Sequence, residues 1–341
     1  MAANTQNKSI NRDVLLGVAF ALLAAVGFSA KAILVKLAYL DSVDAITLLA
    51  LRMAFSVPFF VGVALWVRRH HAEPLNQHDR MLVLGLGLIG YYLSSFLDFL
   101  GLQYISAGLE RLILFLYPTM TVILAALVAA VTRYWRSQPS AGAVACCHSR
   151  TRLLRAPCYD SIKRAIGRKT LVAMALCYAG ILLVFMHDAG TKQEVSVVLG
   201  ASLVFASTLS YSIYLVGAGH AIARIGASRF TAYAMIVASA ASLLQFGVTH
   251  PLSALNLSLR VYELAIAMAI FSTVLPVFLL SYAIRRIGSG SASLIGTIGP
   301  VSTIYMAYAI LGESISLLQI VGSSLVLVGV VIISLNSKKE G

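Results

Sequence analysis

Six ionisable side chains interrupt stretches that are otherwise apolar for about twenty residues: Lys31, Lys36, Arg52, Asp98 and the adjacent Glu110 and Arg111. A charge at the centre of such a stretch costs about 2.5–3.5 kcal/mol to place in hydrocarbon. It persists where it binds a solute, pairs with another charge or relays a proton. Asp98 is the acidic residue set well inside its stretch and Lys31 the deepest basic one, so these two could exchange a proton or meet a charged solute. Tyr92, Tyr117, Tyr211 and Tyr214 would add hydroxyls and ring faces to a polar path. Each has a blander alternative. Lys36 and Arg52 could snorkel to the headgroups, Glu110 and Arg111 could be wetted at a rim, and the tyrosines could be packing or interface belt. The chain has no H-E-x-x-H, no nucleophile elbow and no paired intramembrane aspartates, so an enzyme is not expected. It has no G-x-x-x-x-G-K-[ST] either, which excludes an ATP-driven pump within the chain. Cys146, Cys147, His148 and Cys158 lack zinc-site spacing and give no disulfide framework. No metal and no cofactor is expected.

These side chains need elements to hold them. The sequence is 59% hydrophobic and 11% charged, against roughly 25% charged in a soluble domain. Ten apolar spans are predicted at 14–39, 46–67, 81–104, 107–131, 170–187, 196–217, 230–249, 264–284, 290–311 and 316–335. Lipid offers no partners for backbone groups, so the spans must be helices. The expected fold class is an all-α polytopic membrane protein of ten transmembrane helices.

The net charge of +13 describes topology rather than nucleic-acid binding. With the N-terminus inside, twenty Lys and Arg fall on cytoplasmic segments and only Lys192 and Arg260 outside. That asymmetry predicts both termini in the cytoplasm of a cell inner (plasma) membrane. The first span is too long for a signal peptide and has a counterpart later in the chain.

Sliding the chain on itself by 182 residues aligns Gly108 with Gly290, Pro118 with Pro300, Phe96 with Phe278 and Thr121 with Thr303. A shift of 183 aligns Leu16-Gly17 with Leu199-Gly200. The chain therefore reads as two repeats of five spans, 14–187 and 196–335, and an odd number of spans inverts the second relative to the first. Gly180 matches Gly329 only at a shift of 149, so the first repeat carries extra residues at about 132–164, read as a cytoplasmic or foreign stretch. Pro118 and Pro300, at matched positions, are the expected hinges. The six charged positions answer to Tyr214, Gly219, Ala234, Leu280, Ala292 and Ser293 in the second repeat, none of them charged. A charged outer half facing a neutral inner one follows.

The run Ala292-Ser293-Leu294-Ile295 to Pro300, then Leu311-Gly312-Glu313, Gln319-Ile320-Val321-Gly322 and Gly329, resembles the last two helices of EamA-type transporters of the drug/metabolite transporter superfamily. Ile33-Leu34-Val35-Lys36-Leu37-Ala38, Leu51-Arg52 and Gly101-Leu102-Gln103-Tyr104-Ile105-Ser106-Ala107 resemble its first three helices. Position 131, which answers Glu313, is a valine, so the Leu-Gly-Glu turn is missing from the first repeat. The resemblance implies a permease, an exporter or exchanger of a small polar or amphipathic metabolite such as an amino acid, working by alternating access. Its expected partners are that solute, a proton or counter-solute, and the lipid bilayer, with a homodimer left open. The rival readings are a non-transporting membrane scaffold and, behind it, a membrane-embedded enzyme.

Overall fold

A computed structural model describes residues 2–70, 75–136, 168–191, 194–296 and 298–337. Most of the 132–164 stretch, and with it the four candidate zinc ligands, lies outside the described residues. The described residues are helical, with no strand among them. The helices are α1 (Ala2–Leu40), α2 (Ala45–His70), α3 (Gln77–Leu86), α4 (Ser94–Leu102), α5 (Ala107–Leu114), α6 (Tyr117–Arg136), α7 (Arg168–Thr191), α8 (Glu194–Ile225), α9 (Ala227–Thr249), α10 (Leu259–Ala269), α11 (Leu275–Gly296), α12 (Ile298–Met306) and α13 (Leu317–Ser337). Widened π-turns at Gly87–Leu93 and Ile270–Val274 join α3 to α4 and α10 to α11, and a third follows α12 at Ala307–Leu311.

Among the described residues, seven segments are long and apolar enough to cross a membrane: Val14–Leu40, Ala45–Arg69, Gln77–Leu102, Ala107–Val128, Val195–Gly219, Ala227–Thr249 and Leu259–Leu280. Three shorter apolar helical segments, Leu171–His187, Ile298–Leu311 and Leu317–Ile332, coincide with the remaining predicted spans. Two boundaries differ from the sequence expectation. The fourth span, expected as one helix over 107–131, breaks at Phe115–Leu116. Pro118 has no N–H and its ring collides with the carbonyl four residues earlier, which is Leu114, where α5 ends. Pro300 stands in the same relation to Gly296, and residue 297, between α11 and α12, lies outside the described residues.

The second difference concerns the link expected at 284–290, because α11 is helical across it. The chain nevertheless reverses. Gly17 on α1 lies against Ile287 and Gly27 against Pro276, whereas the Ser29 hydroxyl donates to the carbonyl of Gly299 at 2.9 Å. The chain thus runs down α1 from 276 to 287 and has returned by 299.

Local signals set the other boundaries. Asp44 caps α2, accepting from the N–H groups of Ile46 and Thr47 at 2.9 Å each. Ser106 caps α5 through Leu109 N–H at 3.1 Å. Gly312 ends the ninth apolar segment with a positive φ of 67°, a conformation glycine adopts without penalty.

The largest core gathers Ile33, Leu48, Met53, Phe99, Leu102, Val261 and Met268 at the end of the molecule nearest the α1–α2 turn. At that end Asp41 pairs with Arg260 at 3.7 Å and Asp44 with His250 at 3.4 Å. The Tyr39 hydroxyl donates to Phe99 O at 2.7 Å. Apart from this body, α7 and α13 pack antiparallel through small residues, Gly180 against Gly322 and Gly329 against Ala173 and Cys177. A Cβ on Gly322 would lie 2.5 Å from the Gly180 carbonyl oxygen and 2.7 Å from Val184 Cγ2. Gly322→Leu should therefore force the pair apart and cost about 1–3 kcal/mol. Gly62→Leu, with nothing within 4 Å, is the control. Thermal unfolding in detergent checks this, and equal melting temperatures for the two variants would show that the close approach is wrong.

Candidate functional site

A cavity of about 390 Å³ lies in the helical body, lined by α1, α2, α4, α5, α8, α9, α11 and two π-turns. The α7–α13 pair contributes nothing to it. Its walls follow from helical spacing. Ala21, Ala24, Ala25, Phe28 and Lys31 recur every three or four residues along one face of α1. Gly90, Tyr91, Ser94, Ser95 and Asp98 do the same from the first π-turn into α4.

Five of the six ionisable residues singled out in the sequence line the cavity or touch its ion cluster. Lys31 Nζ is 2.5 Å from Asp98 Oδ2 and 3.1 Å from Glu110 Oε1. Glu110 is fully buried, at 0% side-chain exposure, so the reading of a wetted rim fails for it. The closed core beyond it excludes water from that position. Asp98 Oδ1 and Glu110 Oε2 have no hydrogen-bond partner. Arg52 does not snorkel either. It is buried, donates from Nε to Thr273 Oγ1 at 2.9 Å and lies 5.4 Å over the Phe99 ring. Arg111 lies 5.5 Å over Phe115. Arg52 Nη1 and Arg111 Nε are buried without partners. Lys36 does not line the cavity.

The tyrosines divide. Tyr117 and Tyr211 line the cavity edge to face, with ring centroids 5.7 Å apart. Tyr214 stands behind them, 5.5 Å from Tyr211, and its hydroxyl donates to that of Tyr91 at 2.9 Å. Tyr92 is outside the cavity, stacked on Phe96 at 6.3 Å. Pro118 sits at the break already described, beside Tyr117, and Pro300 beside Gly299, neither on the cavity surface.

Ser207 and Thr208 on α8 also line the cavity and were missed in the sequence. Ser207 Oγ donates to Ser94 O at 2.7 Å, and the two hydroxyls are 3.0 Å apart. A polar stripe of Ser207, Thr208, Tyr211 and Tyr214 at helical spacing was the available signal. The π-turns matter here because they leave backbone carbonyls to be satisfied. Ser210 donates to Ile89 O at 2.7 Å, and Ser272 and Thr273 both donate to Met268 O, at 2.9 and 3.1 Å. The arrangement can hold a small charged or polar molecule between cations, carboxylates and hydroxyls. Among the described residues no group of three His, Cys, Asp or Glu could hold a metal ion.

Comparison with known proteins agrees with this architecture. The model of the EamA-like transporter family matches residues 15–137 and 198–335. The chain is 29% identical to the uncharacterized transporter YcbK of Bacillus subtilis, over 94% of this chain and 93% of the relative. It is 25% identical to the uncharacterized transporter YyaM of Bacillus subtilis, over 72% and 70%. With the uncharacterized transporter sll1319 of Synechocystis it shares 23% identity over 92% and 91%. A solved crystal structure superposes with a TM-score of 0.59 at 14% identity, covering 95% of this chain and 98% of its own, which shows a shared fold. With both halves of the chain matched, this protein belongs to the EamA-like transporter family of the drug/metabolite transporter superfamily.

Proposed function

We propose that the chain is a secondary transporter, an exporter or exchanger of a small polar or amphipathic metabolite of the amino-acid kind, working by alternating access. The observation that carries the reading is the cavity itself. It is walled by apolar helices from both halves of the chain, and holds four ionisable side chains, Lys31, Arg52, Asp98 and Arg111, with Glu110 paired to Lys31 behind them. The solute would sit against Lys31, Arg52, Asp98, Glu110 and Arg111, with Tyr117 and Tyr211 as an aromatic wall and Tyr91–Tyr214 behind it. A proton or counter-solute would supply the drive.

Ten spans in two inverted repeats, 14–187 and 196–335, complete the proposal. Matched local structure supports it. A shift of 182 carries Gln77, where α3 starts, to Leu259, where α10 starts. It carries the first π-turn onto the second, and Pro118 onto Pro300. The family match stops at 137, close to where the extra 132–164 stretch begins. In this arrangement the salt-bridged, core-filled end is the outer gate, closed here, and Pro118 and Pro300 are the hinges about which helix segments rotate.

Orientation has its own test. In a cysteine-free background, single cysteines at 150 and 340 should react with a membrane-impermeant thiol reagent only after cells are opened. Labelling of either in intact cells contradicts cytoplasmic placement of the termini and of the long loop. Function is tested by exchange of labelled amino acids and short organic acids into proteoliposomes. Saturable exchange of at least one is expected, and none for the whole panel would leave a scaffold as the better account.

A further inference from the structure

Charge inside the cavity is unevenly paired. Lys31, Arg52 and Arg111 face Asp98 and Glu110, a surplus of one positive charge with all five ionised. Both carboxylates gather on Lys31. Among the described residues neither arginine makes an ion pair within 4.0 Å. A buried guanidinium retained for structure alone would be expected to hold a carboxylate or a set of carbonyls, because an unpaired buried charge is costly. These two instead lie on phenyl faces, Phe99 and Phe115, which support the plane of the group and leave its edge donors free. Arg52 Nη1 and Arg111 Nε are such donors, buried and unsatisfied.

We infer that Arg52 and Arg111 together anchor a carboxylate of the transported solute, so the protein selects small carboxylic acids, including amino-acid zwitterions, against amines and neutral alcohols. This assignment rests on the transporter reading and names the solute class of the same cavity. A guanidinium presents parallel N–H donors that match the two oxygens of a carboxylate, which an ammonium does not. The Thr273 hydroxyl, bonded to Arg52 Nε, holds that group from the second half of the chain, so the anchor spans the two halves that alternating access must move. Beyond the charges the walls at Ala21, Ala24, Phe28 and Leu280 are apolar. The solute's side chain is accordingly apolar where it meets these walls.

The test is binding, measured on purified protein in detergent by ligand-induced thermal stabilisation and titration calorimetry. The probes are matched sets on one carbon skeleton: valerate, norvaline, butylamine and butanol, with shorter and longer homologues of each. Carboxylates and amino acids are expected to bind, and the amines and alcohols are not. Arg52→Gln and Arg111→Gln should each weaken carboxylate binding roughly 10- to 100-fold. Arg52→Lys and Arg111→Lys, which keep the charge and the fold but lose the fork, should weaken it as well. Tyr92→Phe, outside the cavity and stacked on Phe96, should not. Amines or alcohols binding as tightly as carboxylates overturns the inference, as do unchanged affinities in all four arginine variants, or no stabilisation by any carboxylate. Flux in proteoliposomes is read separately. Arginine-dependent binding without flux would count against the transporter reading, and flux of amines alone would count against the anchor.

Discussion

Lys31→Met is expected to destabilise the purified protein by about 3–5 kcal/mol, the range for removing one partner of a buried ion pair. The lysine is the ammonium between two carboxylates, at 2.5 Å from Asp98 and 3.1 Å from Glu110. Side-chain exposures of 14%, 4% and 0% for Lys31, Asp98 and Glu110 leave little water to screen what remains. Methionine fills much of the lysine volume, so the loss is electrostatic rather than a cavity. The triple variant Lys31→Met, Asp98→Asn, Glu110→Gln removes all three charges and should recover most of the lost stability, because a neutral packed cluster often equals or exceeds the ionic one. The three effects are then strongly non-additive, as expected of groups in contact. Chemical or thermal unfolding of the three proteins in one detergent decides this. A single variant within about 1 kcal/mol of the parent, or a triple variant no better than Lys31→Met, would show that the cluster is solvated.

Asp98→Asn and Glu110→Gln should uncouple transport from an imposed pH gradient while leaving solute binding measurable. Two carboxylates share one ammonium, so one of them can bind a proton while the other keeps the ion pair. If that proton is taken up and released as the cavity opens to either side, gradient-driven accumulation depends on it. Removing either carboxylate should reduce accumulation roughly 5- to 150-fold, the ordinary range of a coupling free energy between two ligands. Solute exchange without a gradient should persist. Accumulation that keeps its pH response in both variants would leave the cluster as structure and assign the drive to a counter-solute.

The sequence displayed these charges well and their neighbours poorly. Asp98 and Lys31 stood out because hydrocarbon penalises any charge, whereas their contact at 2.5 Å is set by helix packing that one sequence does not show. Glu110 was harder to place. Counting residues from a span end puts it at a rim, whereas the core of Leu48, Phe99, Leu102 and Val261 closes over that end, and only packing shows it. Tyr92 and Tyr91 are neighbours in sequence. The π-turn at Gly87–Leu93 decides which of them faces the cavity, and no residue there announces a widened turn. Ser207 and Thr208 passed unnoticed because short hydroxyls bond to carbonyls of nearby turns and read as ordinary helix. Pro118 was legible in position and consequence alike: it breaks the helix four residues upstream, at Leu114. The tight reversal after Ile287 was expected, though not that helical backbone would continue through it.

The central claim is that solute crosses the membrane through the cavity between the two halves, and a plug tests it most directly. Ala25 is buried on the cavity face of α1, about one turn from Phe28 and nearly two turns from Lys31 and the ion cluster. Ala25→Trp would fill much of the space without altering any charge. The measurement is counterflow of a labelled solute, taken from the exchange panel, into proteoliposomes holding equal amounts of parent or variant, with insertion verified by protease protection. The account predicts saturable counterflow for the parent and a fall to the empty-liposome level for Ala25→Trp, while the variant stays folded. Counterflow through Ala25→Trp at the parent rate would contradict it, because the solute would then have a path that does not pass the cavity.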